Sequence, residues 1–182
     1  MWKSVNDIEE AKRIICNPTY KNTGEFLPDY EVIDQVTIEG SRVLDFGCGI
    51  GRNAKYILSK EPYSLICYDY PNMIKMAKEY IGESNIRYIE YPIEKLGEVK
   101  VVDFILANIV LQHIPVKELR ESVLPEFKRL LGEEGRLLIC SRGYTDDDNN
   151  IWKVLAEFFE PITKIDKEAD NNTHQIGIYR RL

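Results

Sequence analysis

The sequence predicts an α/β protein: a doubly wound, mostly parallel sheet with helices on both faces, preceded by a helical extension. Two observations carry the prediction. From Arg42 onward, short apolar and β-branched runs alternate with segments whose apolar residues recur at helical spacing. Those runs are apolar almost throughout, which marks strands covered on both faces and joined by right-handed crossovers. No internal repeat or low-complexity tract breaks the 182 residues. One domain over 1–182 is expected, with 1–40 as a helical cap and 41–182 as the core.

The elements follow in order. "RVLDF" is the first strand, and "RNAKYILSK" a helix with Ala54, Ile57 and Leu58 on one face. "SLICYDY" is the second strand. "PNMIKMAKEYI" opens on Pro71, suited to a first helical position, and buries Met73, Ile74, Ala77 and Ile81. "IRYIEY" and "VVDFILAN" are the third and fourth strands. "VKELRESVLPEFKRLLGEEG" reads as a helix distorted at Pro125, ahead of a fifth strand, "GRLLICSR". A helix over "NIWKVLAEFF" leads to "ITKID" and "HQIGIYRR", which the turn-forming "KEADNNT" joins as an antiparallel hairpin at the sheet edge. Before the core, "VNDIEEAKRII" and "LPDYEVIDQV" are helical. Ile8, Ala11, Ile14 and Ile15 recur at helical spacing, so part of this extension is expected to pack on the sheet layer.

Charge and composition exclude several classes. A net charge of −6 disfavours a broad phosphate-binding surface, so a nucleic-acid partner is not expected. No apolar run approaches the roughly 20 residues of a membrane helix, and "MWKSVNDIEEAKRII" lacks an apolar signal core, which predicts a cytoplasmic protein without a membrane partner. Cys16, Cys48, Cys67 and Cys140 show no CxxC or zinc spacing and read as reduced, mostly buried thiols. Asp146, Asp147 and Asp148 follow the fifth strand, but Asn108 stands where a second acid would be needed, so no metal is expected.

The chemistry concentrates in "LDFGCGIG". In an open α/β sheet, ligands bind outside the carboxyl ends of the strands. Gly47, Gly49 and Gly51 allow a tight turn and close approach of a ligand to the backbone. Their spacing is G-x-G-x-G, not the G-x-G-x-x-G of dinucleotide sites. Asp45, just ahead, would repel a pyrophosphate and suits a cationic amine. Asp69 ends the second strand, placed to accept hydrogen bonds from ribose hydroxyls. An amine and a ribose without a pyrophosphate describe S-adenosylmethionine.

At these residues the sequence resembles the class I S-adenosylmethionine-dependent methyltransferases. "VLDFGCGIG" is similar to the family's first motif, "CYDYPNMIKMA" to the second, "VDFILANIVLQHIP" to the fourth-strand motif and "LPEFKRLLGEEGRLLI" to the helix and turn before strand five. The resemblance implies a seven-stranded Rossmann-like sheet of order 3-2-1-4-5-7-6 with an antiparallel last strand. It also implies S-adenosylmethionine as methyl donor and S-adenosylhomocysteine as product. Asp45 and the backbone of Gly47, Cys48 and Gly49 would hold the methionine moiety, with Gly51 closing the turn. Asp69 would take the ribose, Tyr70 or Met73 would pack on the adenine, the backbone around Ile93 would meet its edge, and Asn108 would lie beneath the methionine end. Where the family often has an acid for the adenine amine, this chain has Pro92, with Glu94 two residues on.

The acceptor side offers His113 as a candidate base and Tyr20 as a residue over the methyl donor, within a lid segment "NPTYKNTGEF". "NPTY" is similar to the NPPY motif of amino-group DNA methyltransferases, but it lies in the extension instead of after the fourth strand. The expected reaction is transfer of a methyl group to an O, N, S or C nucleophile of a small molecule, with a protein substrate as the other option. Two rival readings are a catalytically silent S-adenosylmethionine-binding scaffold and an NAD-dependent oxidoreductase, the second disfavoured by the glycine spacing.

Overall fold

A computed structural model describes residues 7–9, 27–82, 85–142, 150–169 and 172–182. Strands β1 (Arg42–Phe46), β2 (Ser64–Asp69), β3 (Ile86–Glu90), β4 (Val102–Asn108), β5 (Leu131–Arg142), β6 (Phe159–Ala169) and β7 (Asn172–Arg181) form one sheet of order β3-β2-β1-β4-β5-β7-β6. The first five run parallel, and β7 lies antiparallel to both β5 and β6. This is the order that the sequence motifs imply.

Alternation along the strands sends successive residues to two cores. On one face Val43, Leu65, Cys67, Leu106, Leu138, Cys140 and Ile176 meet helices α1 (Leu27–Asp34), α2 (Arg52–Leu58) and α3 (Pro71–Ile81). On the other, Leu44, Phe46, Tyr68, Ile105, Ala107, Leu137 and Ile139 meet α4 and α5 (Ile151–Leu155). Here α4 runs through Val116–Glu118, a π-helical turn at Leu119–Val123 and Leu124–Leu130. Phe46 anchors this second core, stacked on Tyr68 at 4.9 Å and meeting Phe127 edge-on at 4.7 Å. Burial on both faces is why these strands carry no polar alternation.

The extension contributes α1, whose Val32 and Ile33 are buried in the first core. Tyr30 stacks on Tyr56 of α2 at 4.0 Å, and the Tyr56 hydroxyl donates to Asp34. Of the positions expected to pack from the preceding helix, only Ile8 falls among the described residues, where it is half-buried.

Three boundaries differ from the sequence reading. The helix expected over "NIWKVLAEFF" is only Ile151–Leu155, capped by the Asn150 side chain accepting from the Trp152 N–H at 3.0 Å. Phe159 already belongs to β6, because pairing with Arg181 across the hairpin claims it. The hairpin strands run on to Ala169 and from Asn172, well into the stretch expected as a turn. "LGEEG" extends β5 and does not close α4. The distortion expected at Pro125 is a π turn immediately before it, where the helix accommodates a residue without an N–H.

Gly51 joins the loop after β1 to α2 at φ +86°, and a Cβ there would collide with the Ile81 side chain of α3. Gly51→Ala should therefore lower unfolding free energy by about 1–3 kcal/mol, from left-handed backbone strain together with displaced Ile81. Urea denaturation measures it, and a neutral result would mean the loop re-forms around the methyl group.

Candidate active site

The loop after β1 is held by the end of β2. Gly47 donates its N–H to the Tyr68 carbonyl at 2.8 Å and Cys48 donates to the same oxygen at 3.2 Å. Gly49 donates to the Asp69 carboxylate at 2.7 Å, and Gly51 to the Cys48 carbonyl at 2.9 Å. A phosphate-binding loop aims its N–H groups at the ligand. These four point back into the protein, and beside them lies the buried carboxylate of Asp45 (1% exposed). That polarity suits an ammonium group and repels a pyrophosphate.

The glycines divide the work. Gly47, at φ +73°, leaves no room for a Cβ because Val110 from the loop after β4 occupies that space. Gly51 is filled in the same way by Ile81, whereas Gly49 turns the chain at φ +56° beside Asp69. Val110 is a site residue that sequence reasoning missed; its only signal is that it follows the fourth-strand motif.

Asp69 accepts from the Gly49 N–H through one oxygen and from the Tyr70 N–H, at 2.6 Å, through the other. Burial pushes its carboxyl above the ordinary carboxylate value, and the two N–H donors only partly oppose that. A carboxylate held this way gains from further donors such as a pair of hydroxyls. Beside it the Cys48 thiol is pushed well up, by its hydrogen bond with Cys67 and then by burial, so it stays protonated. Cys48, Cys67 and Cys140 are buried, as expected, and form no disulfide among the described residues; Cys16 lies outside them.

At the end of β4, Asn108 is 8% exposed and accepts the Cys140 N–H on its Oδ1 at 3.1 Å. That bond orients the amide and leaves Nδ2 buried with no hydrogen-bond partner among the described residues. Asp45 is in register with Leu106, so Asn108, two residues on, shares its face of the sheet. Asn53 of α2, which covers that face, has a buried Oδ1 in the same condition. The sequence reading overlooked Asn53, although a polar residue two past Gly51 at a core-facing helical position was a visible signal. Ile109 then sits at φ +53°, a left-handed conformation costly for a β-branched residue, and its N–H donates to the Cys140 carbonyl at 2.7 Å. That turn directs the chain to Val110 and to the short helical turn Leu111–His113, where His113 is exposed.

The other expected residues separate. Tyr70 is half-buried, with its ring 5.1 Å from that of Tyr91, whereas Met73 is inside the core at 1% exposure. Ile93 is half-buried and begins a 3₁₀ turn just past Pro92, with Glu94 exposed. Tyr20, the lid segment and the three aspartates from Asp146 lie outside the described residues. No described helix is long and apolar enough to cross a membrane.

Residues 44–139 match the family model described as "Methyltransferase domain", more than half of the chain, and the chain belongs to that family. It is an S-adenosylmethionine-dependent methyltransferase. No curated protein matches the sequence. Among solved structures, the N-methyltransferase NodS from Bradyrhizobium japonicum WM9, in complex with S-adenosyl-L-homocysteine, superposes with a TM-score of 0.74 at 16% identity, over 97% of this chain and 99% of that one. The 1,6-didemethyltoxoflavin-N1-methyltransferase of Burkholderia thailandensis, solved with 1,6-didemethyltoxoflavin and S-adenosylhomocysteine bound, gives 0.73 at 17% identity over 96% and 85%. A ribosomal protein L11 methylase from Lactobacillus delbrueckii subsp. bulgaricus gives 0.68 at 21% identity over 85% and 77%. At these identities the likeness is one of fold.

The raised Asp69 value sets a sign. Since its folded-state pKa lies above the unfolded one, Asp69 favours the fold most below the ordinary 3.8 and loses that contribution as pH rises through the shifted value. In ligand-free protein, the stability of the wild type relative to Asp69→Asn should therefore fall as pH rises above 3.8. Urea melts of both proteins across that range measure it, and a pH-independent difference would contradict the buried carboxylate.

Proposed function

We propose that this methyltransferase acts on a small molecule and that the residues around the glycine loop divide between cofactor and acceptor. The cofactor assignment is carried by one observation: the N–H groups of Gly47, Cys48, Gly49 and Gly51 are spent inside the protein, while the buried Asp45 carboxylate and two buried amide ends without partners among the described residues share one face of the sheet. These fit S-adenosylmethionine, whose amino-acid end is zwitterionic and whose ribose offers hydroxyl donors. When bound, it supplies an electrophilic methyl group on a sulfonium centre. Asp45 and the backbone of Gly47, Cys48 and Gly49 take the amino-acid end, with Gly51 closing the turn and Asn108 beneath. Asp69 takes the ribose. Tyr70, the more exposed of the two candidates, lies against the adenine in place of Met73, and Ile93 borders its edge.

The protein's part in the reaction is alignment and exclusion of water, because the leaving group needs no activation. His113, at the rim beyond Asn108, is the group available to take a proton from a hydroxyl or ammonium nucleophile. The small-molecule reading is supported by the near-complete match to an enzyme solved with 1,6-didemethyltoxoflavin, and by a net charge of −6 that disfavours nucleic acid. The likeness to an L11 methylase keeps a protein acceptor as the competing outcome.

Calorimetry should show S-adenosylmethionine and S-adenosylhomocysteine binding and NADH not binding. Asp69→Ala should weaken the first two by roughly 1–3 kcal/mol; unchanged affinity would remove Asp69 from the ribose site. A screen for released S-adenosylhomocysteine over small-molecule and protein acceptors tests the substrate class, with turnover only on proteins overturning it. On an acceptor so found, His113→Gln should lower kcat by about 10²–10⁴ with cofactor affinity unchanged. An unaltered kcat would exclude a base role.

A further inference from the structure

Strand β6 closes one side of the sheet, and its outer edge pairs with no strand among the described residues. Pro161 to Asp166 are all exposed, including Ile162 (49%) and Ile165 (39%). Proteins commonly blunt such an edge with a proline or a bulge. Here both devices sit at the start of the strand, where Pro161 is followed by an irregular register before Thr163. From Thr163 to Ala169 the pairing with β7 is regular, so that stretch turns an uninterrupted row of backbone donors and acceptors outward.

Its two faces differ in character. Ile165 is level with Ile176, and Ile176 with Cys140, both buried in the first core; Ile165 therefore carries that apolar row one strand past its cover. Lys164 and Asp166 share the other face, where the Lys164 ammonium lies 5.2 Å from the centroid of the Trp152 ring.

A two-fold axis normal to the sheet brings the same edge of two copies together as antiparallel neighbours and leaves each face continuous. Such pairing sets one residue opposite its own copy and the residues flanking it opposite each other. Centred on Ile165, it puts isoleucine against isoleucine and Lys164 against Asp166 twice. Centred one residue earlier or later, it would put Lys164 against Lys164 or Asp166 against Asp166, so the charges favour the Ile165 register over its neighbours. The opposite edge, β3, offers no such match: centred on Tyr88 it sets Arg87 against Ile89, and centred on Ile89 it sets Tyr88 against Glu90.

We propose that β6 is a self-association edge whose occupant is the β6 of a second copy of this chain, paired antiparallel about Ile165 into one continuous sheet. The Ile165 pair extends the first core across the junction, and the two Lys164–Asp166 pairs flank it on the other face. Because the axis reverses strand direction, the carboxyl rims of the two copies face opposite ways, and their candidate sites open on opposite sides of the joined sheet. The inference is independent of what the acceptor is.

Sedimentation equilibrium of the full chain tests it. An edge pairing this short lies at the small end of specific interfaces, so a dissociation constant of about 10–100 µM is expected. Lys164→Asp turns both flanking pairs into aspartate against aspartate, and Asp166→Lys turns them into lysine against lysine. Each should weaken the dimer about tenfold or more. An equimolar mixture of the two variants restores opposite charges at both positions and should form a heterodimer about as tight as the wild-type dimer, a result that requires position 164 to lie opposite position 166. Unchanged melting temperatures establish that the variants are folded; should either fail to fold, Ile165→Lys, which sets two ammonium groups together at the axis, takes its place and should also abolish the dimer. A wild-type chain that stays monomeric at ~1 mM, leaving the edge to some other occupant, overturns the proposal. So does a dimer indifferent to these substitutions, or a mixture of the two folded variants that does not associate.

Discussion

The site depends on how the end of β2 holds the loop that leaves β1. The Tyr68 carbonyl and the Asp69 carboxylate together accept the N–H groups of Gly47, Cys48 and Gly49. Because β1 and β2 are adjacent and parallel, with Phe46 level with Tyr68, both strands deliver their last residues to the same height. A loop pinned in this way needs no ligand to take its shape. What stands beside it is negative: the carboxylates of Asp45 and Asp69. Backbone N–H groups spent in this way are not available to a phosphate.

Asp69 has two duties that pull against each other. It organises the loop through Gly49 and the start of α3 through Tyr70, and it is buried enough for its charge to be costly. Any hydrogen-bond donor added to the carboxylate would offset that cost. The end of β4 follows a similar logic. Cys140 takes one end of the Asn108 amide and so aims the other, while the left-handed Ile109 sends Val110 back into the space above Gly47. The loops after β1 and β4 are in this way one packed unit.

Around this centre the two sheet faces carry different polar groups. The face covered by α1, α2 and α3 carries Asp45, Asn53 and Asn108, and the extension closes it through the Tyr30–Tyr56 stack, with the Arg52 guanidinium 5.8 Å from the Tyr30 ring centroid. The other face, beneath α4 and α5, carries Gln112, Ser141, Trp152 and Gln175. A parallel sheet that ends in one antiparallel strand allows this, because β7 begins at the rim where β4 and β5 end.

By itself the sequence determined the class of fold, because apolar runs and helical periodicity are local features; the strand order came from the resemblance that four ordered motifs carry. It likewise marked Asp45, the three glycines and Asp69, whose residue types at and just past strand ends carry chemical meaning without any partner, and the resemblance added Asn108. Tertiary structure decided how each of them is held. Val110 lies sixty-three residues from Gly47 in the chain, and no local pattern shows that its side chain fills the space a Cβ at Gly47 would need. Met73 and Tyr70 were equal on sequence alone, until helix packing buried one and left the other at the surface. The lengths of β6 and β7 were misjudged because hairpin pairing extends through residues that favour a turn when taken locally.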